Sequence, residues 1–186
     1  MQFSDYRWHA LVVSMLLLMS CTLSAESPTP SAAELDAMGK ETVSRLLEYN
    51  PELAASLESA AGYVVIAMAS TKIPGVGAGR GYGVVTDNAS NSHAYIRVTQ
   101  FEAGGGIGAQ RYRLLVVLEK QRLVNKFIAG GWRYTGSADV GASAVEGTAG
   151  PTATGKGYQV YRLTDEGAAA TVTVRAMNSM PYSPDQ

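Results

Sequence analysis

The sequence has one cysteine, Cys21, and two histidines, His9 and His93. A lone thiol excludes an internal disulfide, and so few Cys and His residues leave no zinc-binding cluster to assemble. A Ser-His-Asp site would have to use His93, which stands in the polar stretch 86–93 without a supporting motif. Charge is nearly balanced, at −1 overall, so no global attraction to nucleic acid is expected. Scattered aromatics with arginine, such as Tyr112 between Arg111 and Arg113, could contact nucleic acid, a use that the exported location read below from the leader argues against. No nucleotide-binding loop is present either. The stretch 150–157 comes close to a phosphate loop, but Gly157 stands where a Mg²⁺-binding Ser or Thr belongs and a strand pattern follows it. The glycines at 75–83 lack the G-x-G-x-x-G order that opens a dinucleotide fold. Asp165 and Glu166 are adjacent carboxylates in an expected turn, which suits solvent better than acid–base catalysis. These absences lead to the expectation of a non-enzymatic protein without cofactor or metal.

Glycine, in contrast, is abundant and ordered. Gly75, Gly77, Gly79, Gly81 and Gly83 occupy every second position of the stretch 73–85. Alternate side chains of a strand share a face. An extended chain here would have one face of bare backbone, against which something large must pack or another backbone must come close. Further glycine-rich stretches follow at 104–108 and 141–157.

At the N-terminus an apolar run over residues 10–20 follows Arg7. Its length is that of a signal-peptide core, about 7–15 residues, and below the roughly 20 needed to span a bilayer. Leu18-Met-Ser-Cys21 is similar to a bacterial lipobox, whose cysteine is acylated after cleavage. On this reading residues 1–21 are a lipoprotein signal peptide and residues 22–31, with Pro28 and Pro30, are a tether. Thr22 in place of Asp removes the usual inner-membrane retention signal. That points to an exported protein anchored at the periplasmic face of an outer membrane. Cleavage after Ala25, or an uncleaved anchor, are the alternatives.

The remainder reads as one domain, residues 32–175, with a tail over 176–186. Ser31 and Glu34 have capping-box spacing, and Leu35, Met38, Thr42, Leu46 and Tyr49 recur with helical period. Asn50-Pro51 ends that helix and opens a shorter one to about Ser59. Strands are expected from residue 62, over 94–100 and over 114–118, with residues 101–108 turning or continuing through glycine. Leu123 with Phe127 and Val124 with Ile128 are i,i+4 pairs of a helix over 119–129, ended by Gly130-Gly131. More strand follows around 132–134 and 138–145. Residues 158–163 and 170–175 read as a hairpin about Thr164, Asp165, Glu166 and Gly167. The fold class expected is α+β: N-terminal helices packed on a Gly-rich, mainly antiparallel, curled or barrel-like sheet with one inserted helix.

Charge is unevenly distributed. Residues 26–61 carry seven acids and two bases, whereas residues 62–175 carry twelve bases and seven acids. The helical front is acidic and the body is basic.

The order of motifs is itself informative. Helices lead to Gly62-Tyr-Val-Val, then Lys72, the glycine ladder, a Tyr/Arg strand ending in Thr99-Gln100, and Gly104-Gly-Gly-Ile-Gly-Ala-Gln110. An apolar strand, a short helix with Phe127 and a closing Val160-Tyr-Arg-Leu-Thr-Asp165-x-Gly167 complete it. Over residues 33–175 this resembles the SYLF family of bacterial exported and eukaryotic membrane-trafficking proteins. The resemblance implies a lipid-binding domain. Eukaryotic relatives bind phosphoinositides, some bind actin, and basic residues with an N-terminal amphipathic helix are implicated. Here the front helix is acidic. The basic body residues Lys72, Arg80, Arg111, Arg113, Lys120, Arg122 and Lys126 are therefore the expected contacts for anionic lipid, beside the acylated Cys21. The partner expected is membrane lipid. The alternative is an envelope protein partner engaged by exposed backbone.

Overall fold

The structure is a computed structural model that describes residues 29–138 and 153–184. Cys21, and most of the strand expected over 138–145, lie outside the described residues. Helix α1 (Ala32–Tyr49) and α2 (Leu53–Ser59) precede strands β1 (Gly62–Ile73), β2 (Gly75–Asp87) and β3 (Ser92–Leu118). Helix α3 (Gln121–Ile128) follows, then β4 (Arg133–Ala138), β5 (Ala153–Gly155) and β6 (Tyr158–Pro181). The chain is α+β, and all its strand pairings are antiparallel.

Helix α1 begins as its sequence dictates. The Ser31 hydroxyl accepts from the Glu34 amide, and the Glu34 carboxylate accepts from the Ser31 amide at 2.8 Å. The Ser31 backbone, and next its hydroxyl, hold the Glu34 carboxyl below its ordinary pKa. A depressed carboxylate pKa means the cap contributes at neutral pH and fades as pH falls through the acidic range.

The sheet is organised by the glycines of β2. Each of β1, β2 and β3 pairs with the other two, because β3 is long enough to flank β2 with its first half and β1 with its second. At about 3.3 Å per residue, a straight β3 would far overrun its partners. It bends through Gly104 and Gly106, both at positive φ (136° and 116°) where other residues are strained. Across β2 the register then repeats. Ile66 and Ile96 flank Gly83, Met68 and Val98 flank Gly81, Ser70 and Gln100 flank Gly79, and Lys72 and Glu102 flank Gly77. Side chains of β1 and β3 close over a bare central strand, and this face becomes the inside of the curl. The Tyr112 hydroxyl in the second half of β3 accordingly donates to Gln100 in the first half. The curl does not close into a barrel, since β4 at the far edge pairs only with β6 among the described residues.

Two apolar clusters sit on opposite faces. The inner one joins Ile66, Met68, Val98, Leu114 and Val116 to Val124 and Phe127 of α3 and to Trp132. Trp132 stacks on Phe127 with ring centroids 4.4 Å apart. The outer one joins Val65, Val84, Leu115, Val117, Tyr161 and Leu163 to Leu46 of α1 and Leu53 of α2. Among the described residues both draw on positions after 34 alone, so a chain starting at Glu26 retains every core contact described.

Two expectations need correcting. The expected hairpin at 164–167 is absent. β6 runs unbroken from Tyr158 to Pro181 along β3, and a bulge opposite Arg111 and Tyr112 absorbs one residue, leaving Asp165 without a register partner. Polar turn-type residues here serve a bulge, which re-aims a side chain without ending the ladder. Residues 101–108, for which a turn and a continued strand were both open, continue as strand. The stretch from 176, read as tail, is strand to Pro181; Tyr182 then donates its amide to Tyr95 and its hydroxyl to Pro30.

A matched pair of substitutions checks the role of the ladder. A Cβ on Gly81 would run into the Ala67 carbonyl and the Met68 sulfur, whereas a Cβ on Gly105 would meet nothing within 4 Å. Gly81→Ala should lower urea-unfolding stability by about 1–3 kcal/mol, the usual cost of overpacking. Gly105→Ala should leave it unchanged or slightly raised.

Candidate functional site

The seven basic residues expected to share one surface separate into four environments. Lys72 is inside the curl, 4% exposed, with its ammonium 3.8 Å from the Glu102 carboxylate. Its position opposite Gly77 directs it inward, the same face as Ser70 and Met68. It belongs to a buried polar chain in which Gln100 donates to Glu102 at 2.5 Å and Tyr112 donates to Gln100. Arg162 stands over the Tyr112 ring at 4.2 Å and donates to Gln110. Lys72 is therefore unavailable to a surface ligand.

Arg113 is engaged. Its guanidinium lies 3.1 Å from Glu41 and 3.0 Å from Asp165, and donates to the Thr42 hydroxyl at 3.3 Å. Arg45 adds a 3.3 Å contact to Asp165. The bulge that replaced the expected hairpin presents Asp165 to both arginines, and so helps tie α1 to the sheet. Farther along α1, Asp36 receives His93 at 2.9 Å and the Tyr95 hydroxyl at 3.2 Å. Two acids of the helical front, Glu41 and Asp36, thus lie against particular groups of the body. His93, in the polar stretch 86–93 of the sequence, is the second residue of β3. It is exposed, but its imidazole also has Asp36 as a partner.

Lys120, Arg122 and Lys126 are all exposed around α3, whose buried stripe, Val124 and Phe127, packs into the inner cluster. They lie with the opposite face of the sheet from Arg80 and Arg111.

The register places Arg80 and Arg111 together. Ala69 of β1 is paired with Arg80 on one side and with Arg111 on the other, all three exposed. One step along, Thr71 is paired with Ala78 and Ala109. Small side chains therefore separate the two arginines, and the surface sinks into a depression of about 680 Å³ lined by these six residues together with Ser70, Gly79 and Gln110. No ion pair or side-chain hydrogen bond engages Arg80 among the described residues. Two guanidinium groups flanking a shallow, small-residue floor suit an anionic group on a flat surface. Arginine binds carboxylate and phosphate through a planar fork of donors.

Among the described residues there is no group of three His, Cys, Asp or Glu side chains that could hold a metal ion. No described helix is long and apolar enough to cross a membrane. Compared with protein-family models and with curated proteins, the chain matches none.

Sequence reasoning grouped the seven basic residues by charge. Their separation depends on strand parity: even positions of β1 face inward, and odd positions of β1 with even positions of β2 face outward. The signal was present in the alternating glycines, because Lys72 shares the parity of the residues that close over them.

The Lys72–Glu102 pair yields a direct test. Glu102→Leu removes the carboxylate facing a buried ammonium and should cost about 3–5 kcal/mol in chemical denaturation. Adding Lys72→Met should recover most of that loss, because a matched apolar pair replaces a matched ionic one.

Proposed function

We propose that this is a non-catalytic envelope lipoprotein whose body binds anionic lipid head groups. The observation that carries this reading is the Arg80–Ala69–Arg111 row, with two guanidinium groups exposed on one sheet face beside a shallow depression. Each basic residue near a charged membrane contributes about 1 kcal/mol. A body of net positive charge adds longer-range attraction to the same surface. The resemblance of residues 33–175 to the SYLF family supports a lipid-binding domain, and the lipobox-like Leu18-Met-Ser-Cys21 supports an acyl anchor on Cys21 at the periplasmic face of an outer membrane. Anchor and head-group contact act together. The acyl chains supply residence at the bilayer, and the arginines supply preference among lipids and orient the body. Lys72, buried, and Arg113, engaged by Glu41 and Asp165, are not part of the contact in this proposal.

Co-sedimentation of residues 26–186 with vesicles tests the reading free of the acyl chain. Binding is expected to mixed phosphatidylcholine–phosphatidylglycerol vesicles and not to pure phosphatidylcholine, and it should weaken as salt rises. Arg80→Ala with Arg111→Ala should weaken the anionic binding roughly 30-fold, from about 1 kcal/mol per residue. Lys120→Ala, Arg122→Ala and Lys126→Ala together should weaken it less. No binding to anionic vesicles at any salt would refute the proposal and favour an envelope protein as the partner.

A further inference from the structure

Four large apolar side chains of the described residues are exposed at one end of the sheet: Ile73 (57%), Val76 (40%), Phe101 (56%) and Ile107 (66%). They belong to three strands, yet the register gathers them. Ile73 pairs with Val76 across the Pro74-Gly75 turn, and Phe101 pairs with Ala78, two residues beyond Val76. Ile107 neighbours Gly108, the partner of Lys72. A cluster of exposed large hydrophobes on a sheet tip is unusual for a protein surface and marks an interaction site.

We infer that this tip is a bilayer-inserting wedge, with Ile73, Pro74, Val76, Phe101 and Ile107 entering the acyl boundary while Arg80 and Arg111 rest at the phosphates. The inference depends on the anionic-lipid reading and assigns it a depth and an orientation. Three features of the tip select a lipid surface over another occupant.

The first is charge. The nearest acid in sequence, Glu102, is turned inward against Lys72 and is 3% exposed. Among the described side chains of the tip's outer face none is a carboxylate, so insertion buries no exposed acid among them. A lone buried charge would be expensive in hydrocarbon.

The second is backbone satisfaction. Amide and carbonyl groups entering a bilayer must already be hydrogen-bonded. Here β1 and β2 ladder to the last residue before the turn, Ile73 opposite Val76, and Gly105, Gly106 and Ile107 of β3, which lie beyond the last β1 and β2 partners, ladder with β6. Pro74 has no amide hydrogen to leave exposed. Gly75 takes a φ of 97°, the conformation that the second central residue of a tight Pro-Gly turn requires.

The third is spacing. At about 3.3 Å per strand residue, Arg80 stands about 7 Å behind the Ala78–Phe101 row and about 13 Å behind Val76. Arg111 stands about 13 Å behind Ile107. Interfacial elements bury their apolar face about 5–10 Å into the boundary between head groups and acyl chains. Side chains at the tip reaching that depth leave the two guanidinium groups level with the phosphates. The residues between them, Thr71, Ala78 and Ala109, are small and present no obstacle.

The experiment uses residues 26–186, which contain every core residue among the described ones and no cysteine. An environment-sensitive fluorophore is attached to a single new cysteine, Phe101→Cys or Ile107→Cys, with Ser90→Cys in the turn at the other end of β2 as the reference. With phosphatidylglycerol-containing vesicles, the labels at 101 and 107 should brighten several-fold, shift to the blue and be quenched by brominated acyl chains. The label at 90 should do none of these. Phe101→Ser should weaken vesicle binding at least tenfold without changing the melting temperature, since an exposed side chain leaves the core intact. Sedimentation with vesicles while both tip labels stay water-exposed would overturn the wedge and leave head-group binding standing. Absence of sedimentation would overturn both. Burial of the tip labels in a lipid-free dimer, detected by sedimentation velocity, would assign the tip to a second copy of the chain and overturn the wedge.

Discussion

The structure depends on a steric vacancy. Along β2, every inward position from Gly77 to Gly83 is without a side chain, and the chains of β1 and β3 meet over the gap. Ile66 and Ile96 face each other across Gly83, and Lys72 and Glu102 do so across Gly77. With any larger residue in the ladder, the neighbouring strands would be held apart and the sheet would flatten. Because they close, a single 27-residue strand can flank both members of the β1–β2 hairpin. The interior it encloses changes character along its length, from Ile and Met near α3 to a polar chain of Lys72, Glu102, Gln100 and Tyr112 toward the tip.

The same alternation that empties the inner face populates the outer one. Val84, Tyr82, Arg80, Ala78 and Val76 succeed one another along β2. Helix α1 covers the beginning of this series, where a Cβ on Gly39 would already crowd Val84. Two acids of α1 lie against particular groups of the sheet, Glu41 against Arg113 and Asp36 against His93 and Tyr95. Beyond the helix the surface becomes basic at Arg80 and Arg111, then apolar at Phe101 and Val76. A contact surface of ordered polarity thus follows from how far one helix reaches across one sheet.

Much of this was legible in the sequence, and the reasons differ by element. Helix α1 was readable to its first residue because Ser31 and Glu34 form their cap locally. The inward-facing ladder was readable because alternation by twos leaves a strand little freedom. Register was not readable, since pairing across β3 and β6 depends on contacts tens of residues apart. Asp165 shows the consequence: a residue typical of turns served a bulge, and only the ladder with β3 distinguishes the two. Lys72 was grouped with surface bases because its charge is plain in the sequence, whereas its parity relative to Gly77 matters only once β1 and β2 are paired. The tip was missed for a related reason. Ile73, Val76, Phe101 and Ile107 are unremarkable singly and form a patch only when three strands align.

The central claim is that one face of the sheet, bounded by Arg80, Arg111 and the tip, meets anionic lipid. Hydrogen–deuterium exchange of residues 26–186, free and bound to phosphatidylglycerol-containing nanodiscs, measures it most directly. Protection on binding should concentrate at residues 73–80 and 101–111 and leave α3 unchanged. Protection confined to α3, with Lys120, Arg122 and Lys126 at its centre, would place the lipid on the opposite face and contradict the account.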